Sequence, residues 1–287
     1  MEQVNLFKET KYNSLLTKYY EDRKGKFGGR ELSFTPSSLW EIPTKNEYLT
    51  KIIEDNAEIR EVKRTGGILG NKGLKFSEFK PDIAERVIEF WSNEDDLIID
   101  PFAGRATRAM VAVILNRYYL GFEVVPEYKD FIKFRLSRLP ENLQRRAEIR
   151  LGDGCQLREI KANRADLIFT CPPYWNLEKY KIETGQLSAC IDYSDFIKHI
   201  EIALNNCYRV LKRNCYLCWV VADWFLDGIF YPFHKDIMLL AGKAGFLLHD
   251  VVIIKVYSMF VSVSAGQNKR AKRMGKQHEY LIIAKKI

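Results

Sequence analysis

Leu97-Ile98-Ile99-Asp100-Pro101-Phe102-Ala103-Gly104 is an apolar run closed by an acid, broken by proline and released by glycine just before a helical stretch. The run reads as a buried strand, and Pro101, which fixes φ and has no N–H to donate, ends it. A second run of the same design, Asp166-Leu167-Ile168-Phe169-Thr170, leads into Cys171-Pro172-Pro173-Tyr174-Trp175. Two adjacent prolines freeze that loop at a strand end and leave its carbonyls free to accept hydrogen bonds. A proline pair alone usually just punctuates a loop. In open α/β sheets, however, ligands collect beyond the carboxyl ends of parallel strands, so two such loops at two strand ends open onto one site.

Outward from these loops the pattern alternates between helix and strand. Pro81 suits a first helical turn, and Ile83, Val87, Ile88 and Trp91 follow at helical spacing. After Gly104 come a helix to about Asn116, a strand Tyr118 to Glu123, a helix from Pro126 to about Arg138 and a short strand ending at Gly152-Asp153. Beyond Thr170 a long helix from about Tyr193 to Leu211 precedes a strand Cys215 to Val221. A helix around Lys235 to Lys243 and strand-like runs Leu247 to Val256 and Glu279 to Ala284 complete the series. With no helix between the last two runs, one of them is expected to lie antiparallel to the rest.

Residues 1–79 are less regular and are expected to form an irregular basic extension with a possible DNA contact, ahead of one domain spanning 80–287. Lys24-Gly25-Lys26-Phe27-Gly28-Gly29-Arg30 and the stretch from Arg64 to Gly73 read as its flexible basic segments.

The 287 residues are 47% hydrophobic, enough for a sizeable core, and carry a net charge of +8. A basic balance suits a polyanionic partner without demanding one. The amino terminus has no apolar signal region and the longest apolar run, Cys215 to Ala222, is too short to cross a bilayer, so no membrane association and a cytoplasmic location are expected. The six cysteines read as reduced thiols. Cys215 and Cys218 have C-x-x-C spacing, but within a strand that places them on opposite faces, and no metal site is expected.

Asp-Pro-Phe-Ala-Gly followed by Cys-Pro-Pro-Tyr resembles the S-adenosylmethionine-dependent DNA amino methyltransferases, and with Leu177-Glu178-Lys179-Tyr180 it is most similar to phage-type members. The resemblance covers the chain from Phe79-Lys80-Pro81 onward. It implies a Rossmann-like class I methyltransferase fold: α/β, with a mostly parallel seven-stranded sheet and one antiparallel strand. It also implies S-adenosylmethionine as cofactor and DNA as partner. Asp100, Pro101, Phe102, Ala103 and Gly104 correspond to the cofactor loop, with Asp100 at the cofactor's amino-acid end. Glu123 corresponds to the ribose-binding acid, Asp153 to the group that reads the adenine amino group, and Lys80, Pro81 and Thr170 to further cofactor positions. The loop departs from the family's Gly-x-Gly-Thr in reading Gly104-Arg105-Ala106-Thr107.

Cys171, Pro172, Pro173 and Tyr174 are then the catalytic loop. A base inside a duplex hides its amino group and must be flipped out, and Tyr174 offers it a stacking surface. Trp175 could line the same pocket, but a large aromatic after a loop is more often core. The amino lone pair is delocalised into the ring, and an acceptor such as the Pro172 carbonyl would help localise it. Cys171 stands where adenine-type relatives have Asp or Asn and cytosine-type relatives usually Ser, so the small neutral side chain favours N4 of cytosine slightly over N6 of adenine. A cytosine-C5 mechanism with Cys171 as nucleophile is disfavoured, because those enzymes have Pro-Cys rather than Cys-Pro-Pro-Tyr. The alternatives are an RNA base amino methyltransferase and a nucleic-acid-binding protein of the same fold without transfer activity. Gln267 to Lys276 concentrates charge between two strands, and Lys269, Arg270, Lys272 and Arg273 are its candidate phosphate contacts.

Overall fold

The computed structural model describes residues 12–23, 36–41, 47–54, 79–175, 187–255 and 265–287. The basic segments from Lys24 to Arg30 and from Arg64 to Gly73, and Leu177 to Tyr180, lie outside the described residues.

Five strands form a parallel block in which β2 (Leu97–Asp100) is flanked by β3 (Tyr118–Glu123) and β5 (Ala165–Thr170), with β4 (Ala147–Leu151) outside β3 and β6 (Leu211–Val221) outside β5. Beyond β6, β10 (His278–Lys285) runs antiparallel, and β9 (Leu247–Lys255) pairs antiparallel to β10. The expected single antiparallel strand is therefore β10, and its first residues lie at the carboxyl ends of β5 and β6.

Among the described residues the sheet has eight strands rather than the expected seven. The extra one, β1 (Leu39–Glu41), comes from the amino-terminal extension and pairs parallel with Ile253 to Lys255 of β9. β1 thereby covers the backbone groups at the last three residues of β9 on that edge. The described parts of the extension are regular: a helix α1 over 12–23, β1, and α2 (Glu47–Glu54). Tyr12, Leu16, Tyr19, Trp40, Leu49, Ile52 and Ile53 are buried in the main core. Arg23 pairs with Glu85 and Glu89, each at 2.8 Å, and Tyr19 donates to Glu85 at 2.7 Å, docking α1 on α3 (Pro81–Trp91).

Period-two alternation divides the core between the two faces of the sheet. Ile98, Leu167, Phe169, Cys218 and Val220 face α1 to α3, α4 (Thr107–Ile114) and α5 (Pro126–Leu136). Ile99, Ile168, Leu217, Trp219 and Val221 face α7 (Tyr193–Val210) and α8 (Phe233–Lys243), the one-turn α6 (Glu141–Gln144) lying before β4. Cys218 is buried in the first layer while Cys215 packs against the second, as their spacing predicts. Among the described residues no helix is long and apolar enough to cross a membrane.

Two further stretches differ from the sequence reading. The basic stretch expected as a loop begins with a short helix, α9 (Ala265–Arg270). A hairpin of β7 (Trp224–Leu226) and β8 (Ile229–Tyr231), absent from that reading, follows β6.

Candidate active site

The ends of β2 and β5 meet through one buried acid. Asp100 is fully buried; its Oδ1 accepts from the Phe102 amide at 3.0 Å and the Thr170 hydroxyl at 2.6 Å. Its Oδ2 accepts from Arg108 Nε at 2.6 Å and the Tyr119 hydroxyl at 2.7 Å. Thr170, like Asp100, is fully buried. Asp100 shapes the loop through Phe102, and Thr170 ties that loop to the one carrying Cys171. Arg108, which sequence reasoning missed, is the buried counter-ion and also donates to the Phe102 carbonyl.

The loop from Pro101 to Ala106 is held close on all sides. The Ala103 amide donates to the Phe122 carbonyl at 2.9 Å, an approach that Gly121 permits, since a Cβ there would lie 2.9 Å from that of Ala103. Gly104 has φ +60°, and Ala106, where the family pattern has its second glycine, keeps the left-handed turn at φ +72°. An L residue in that region costs roughly 1 kcal/mol or more. The turn is braced by buried Arg135, which donates to the carbonyls of Arg105 and Ile53 and so links the loop to α2.

Glu123 and Asp153 end neighbouring strands on this edge. Glu123 accepts from the Val125 amide at 2.9 Å, and burial pushes its carboxyl up to about 7 against the opposing backbone amides, with no cation beside it among the described residues. Asp153 accepts from the Cys155 amide at 2.9 Å. Gly154 presses on the Pro101 carbonyl so closely that an added Cβ would sit 1.9 Å from that oxygen, which brings the β4 loop against the β2 loop. Lys80 caps α3 with its carbonyl and Pro81 opens the helix. The Lys80 ammonium also lowers the carboxyl of Glu279 on β10, against a larger upward push from burial.

Pro172 is buried, whereas Cys171, Pro173 and Tyr174 are half-buried. Tyr174 meets an aromatic wall that sequence reasoning missed: its ring centroid lies 5.5 Å from Trp224 and 6.3 Å from Phe233, both edge-on. Trp175 belongs to the same wall, 5.9 Å from Tyr193 and 5.5 Å from Tyr231, and its indole N–H donates to the Cys190 carbonyl at 3.0 Å. Trp224 is buried, and its indole N–H has no acceptor among the described residues. Lys269, Arg270, Lys272 and Arg273 are all exposed and lead into β10 at this same edge. The expectation of no metal site meets one cluster, Cys190, Asp195 and His199, whose ligand atoms lie within 4.8 Å of one another. Burial pushes the Cys190 thiol up to about 11, and His199 Nδ1 sits 2.9 Å from the Asp195 carbonyl.

The donor set on this edge fits a nucleoside bearing a positive charge. It offers a half-buried carboxyl, a second acid one strand over, and the tightly wound β2 loop beside them.

Comparison with known proteins agrees. A DNA methylase family model, covering N6 and N4 enzymes, matches residues 3–134 and 165–287. Type II methyltransferase M.BglII of Bacillus subtilis is 29% identical over 123 residues, 43% of this chain and 29% of that protein. Orphan methyltransferase M.BamHII of Bacillus amyloliquefaciens is 45% identical over 59 residues, 21% of this chain and 22% of that protein. The matches thus span less than a third of these two relatives. A SAM-dependent methyltransferase from Methanosarcina mazei superposes with a TM-score of 0.50 at 16% identity, over 70% of this chain and 97% of that one, a likeness of fold alone. The fold is the Rossmann-like class I methyltransferase fold, and the chain belongs to the N6/N4 DNA methylase family.

Proposed function

We propose that this protein transfers a methyl group from S-adenosylmethionine to an exocyclic amino group of a DNA base, with N4 of cytosine preferred to N6 of adenine. The observation that carries this reading is the junction of Thr170 and Asp100, which sets the Cys171-Pro172-Pro173-Tyr174 loop against the Pro101 to Gly104 loop. Transfer in line between two bound groups needs just such a fixed meeting of two strand ends.

When bound, S-adenosylmethionine supplies an electrophilic methyl group. Glu123 would accept from the ribose hydroxyls and Asp153 from the adenine amino group, while Phe102 to Gly104 brings backbone close to the methionine end, with Lys80 and Pro81 beside it. Asp100 and Thr170 act as positioning residues. Tyr174, held edge-on by Trp224 and Phe233, is a rigid surface on which an extruded base can stack. The Pro172 carbonyl would accept from the amino group and help localise its lone pair. Cys171, small and neutral, supports the preference for cytosine. The reading places the protein in the cytoplasm with its DNA.

Single-molecule sequencing of DNA from cells expressing the protein tests the reading: N4-methylcytosine at a defined site is expected. N6-methyladenine would shift the target, and methylated bases found only in RNA would replace DNA as substrate. Cys171→Ser separates amino transfer from covalent catalysis, since serine replaces a polar neighbour but not a thiolate nucleophile. Cys171→Ser should retain substantial activity and Tyr174→Ala should lose far more. An inactive Cys171→Ser enzyme whose parent makes 5-methylcytosine would overturn the assignment.

A further inference from the structure

The β7–β8 hairpin is a rigid projection directly beside the catalytic loop. Trp219 is the β6 partner of Thr170, β6 ends at Val221, and β7 begins at Trp224, so the hairpin rises from the edge where Cys171 to Tyr174 lie. Its two-residue turn, Asp227-Gly228, has φ of 50° and 81°, both positive, as in the tight turn whose twist matches paired strands. Such a turn holds its neighbours in a fixed pose.

The register gives the two faces different chemistry. Trp224 pairs with Tyr231 and Leu226 with Ile229 on one face. The first pair packs around Tyr174 and Trp175, and the second continues that face outward to the tip, where Ile229 is 57% exposed. On the other face Phe225 and Phe230 lie 5.0 Å apart, with Lys276 Nζ 4.6 Å from the Phe230 ring and the Arg273 guanidinium 5.9 Å from that of Phe225. An exposed apolar tip backed by cations is costly to display to water unless something covers it, and the flanking charge selects a polyanion.

We propose that the Leu226–Ile229 tip is a wedge that enters a DNA duplex as the target nucleotide swings out, with Ile229 filling the space vacated in the stack. Arg273 and Lys276, held over the rings behind it, contact the phosphates on either side. The inference rests on the base-methylation reading above and deepens it by naming the part that opens the duplex. Apolar side chains inserted at a base step are a general means of offsetting lost stacking, and the chemistry on the extruded base requires that loss. The tip lies two cross-strand pairs beyond Trp224 and Tyr231, which touch the catalytic loop, so wedge and pocket act on the same nucleotide.

The test uses the full chain and two short duplexes carrying the methylated site read from sequencing, one with the target base paired and one with it mismatched. Ile229 is exposed, so its replacement leaves the fold intact. Ile229→Ala should lower kcat/KM about tenfold on the paired duplex and less than about twofold on the mismatched one, where extrusion is already easy. Ile229→Leu, which keeps an apolar tip, should restore most of the loss. An equal loss on both duplexes, or none on the paired one, overturns the wedge while leaving the methylation reading intact. A wild-type protein that methylates neither duplex overturns that reading and the wedge with it.

Discussion

Asp100 holds four donors with no exposed surface, and one of them, Arg108, is a cation with only 4% of its own surface exposed. Removing the carboxylate strands that charge along with the hydroxyls of Tyr119 and Thr170. Breaking a buried pair from one side costs about 3–5 kcal/mol. Asp100→Ala should therefore lower the urea midpoint by a corresponding amount, and an unchanged midpoint would show that the network stores no stability.

Glu123 makes the opposite case, an acid with no cation beside it among the described residues. Its folded value, raised by burial to about 7, lies above the usual carboxylate value, so the folded state holds an extra proton in between. Its contribution to stability therefore falls as pH rises across that interval and is constant above it. Affinity for the proposed ligand runs the other way, because the ionised carboxylate is the form that accepts hydroxyls and favours a nearby positive charge. Calorimetry with S-adenosylhomocysteine should show binding that tightens from about pH 6 to about pH 8 and then levels, with Glu123→Gln flattening the curve. A flat wild-type profile would remove Glu123 from the site.

The elements are legible wherever their signals are local. Apolar runs mark β2, β3, β5 and β6, and Pro81 and Pro126 open the helices they are expected to open. The hairpin that sequence reasoning missed does carry a signal, an Asp-Gly between Trp224-Phe225-Leu226 and Ile229-Phe230-Tyr231, which is a strong short-range mark of a tight turn. In the basic stretch after β9, α9 shows that the charge begins on one short helix before running into β10. Lys269, Arg270, Lys272 and Arg273 are all exposed there. Neutralising them should weaken DNA binding about equally across sequences and flatten the double-logarithmic salt dependence by roughly one unit of slope for each phosphate left without its cation. A slope equal to that of wild type would exclude them from the interface.

We propose that the extension expected up to residue 79 and the domain after it fold as one unit, because the described part of the extension shares that domain's core. Every residue of α4 is buried, its far side covered in the same core by α1 and α2, and the Tyr20 hydroxyl reaches the Ile114 carbonyl at 2.7 Å. A chain truncated to residues 80–287 would present apolar faces of α3 and α4 to water and lose the Ile53 carbonyl that Arg135 binds. It should be insoluble or lack a cooperative thermal transition, and a soluble fragment that unfolds cooperatively would restore the two-part division.

Strand ends, loop prolines and the class of chemistry are readable in the sequence because φ restriction, alternation and helical spacing act between residues a few positions apart. Those rules name the loops of the site, Asp100 to Gly104 and Thr170 to Tyr174, without saying which atoms meet. That Thr170 serves Asp100 seventy positions away, that Arg135 spans from Ile53 to Arg105, and that Trp224 and Phe233 brace Tyr174 all follow from strand order and helix packing. Buried polar groups must find partners among whatever the fold brings near, and the choice is made by packing between segments that no local spacing encodes.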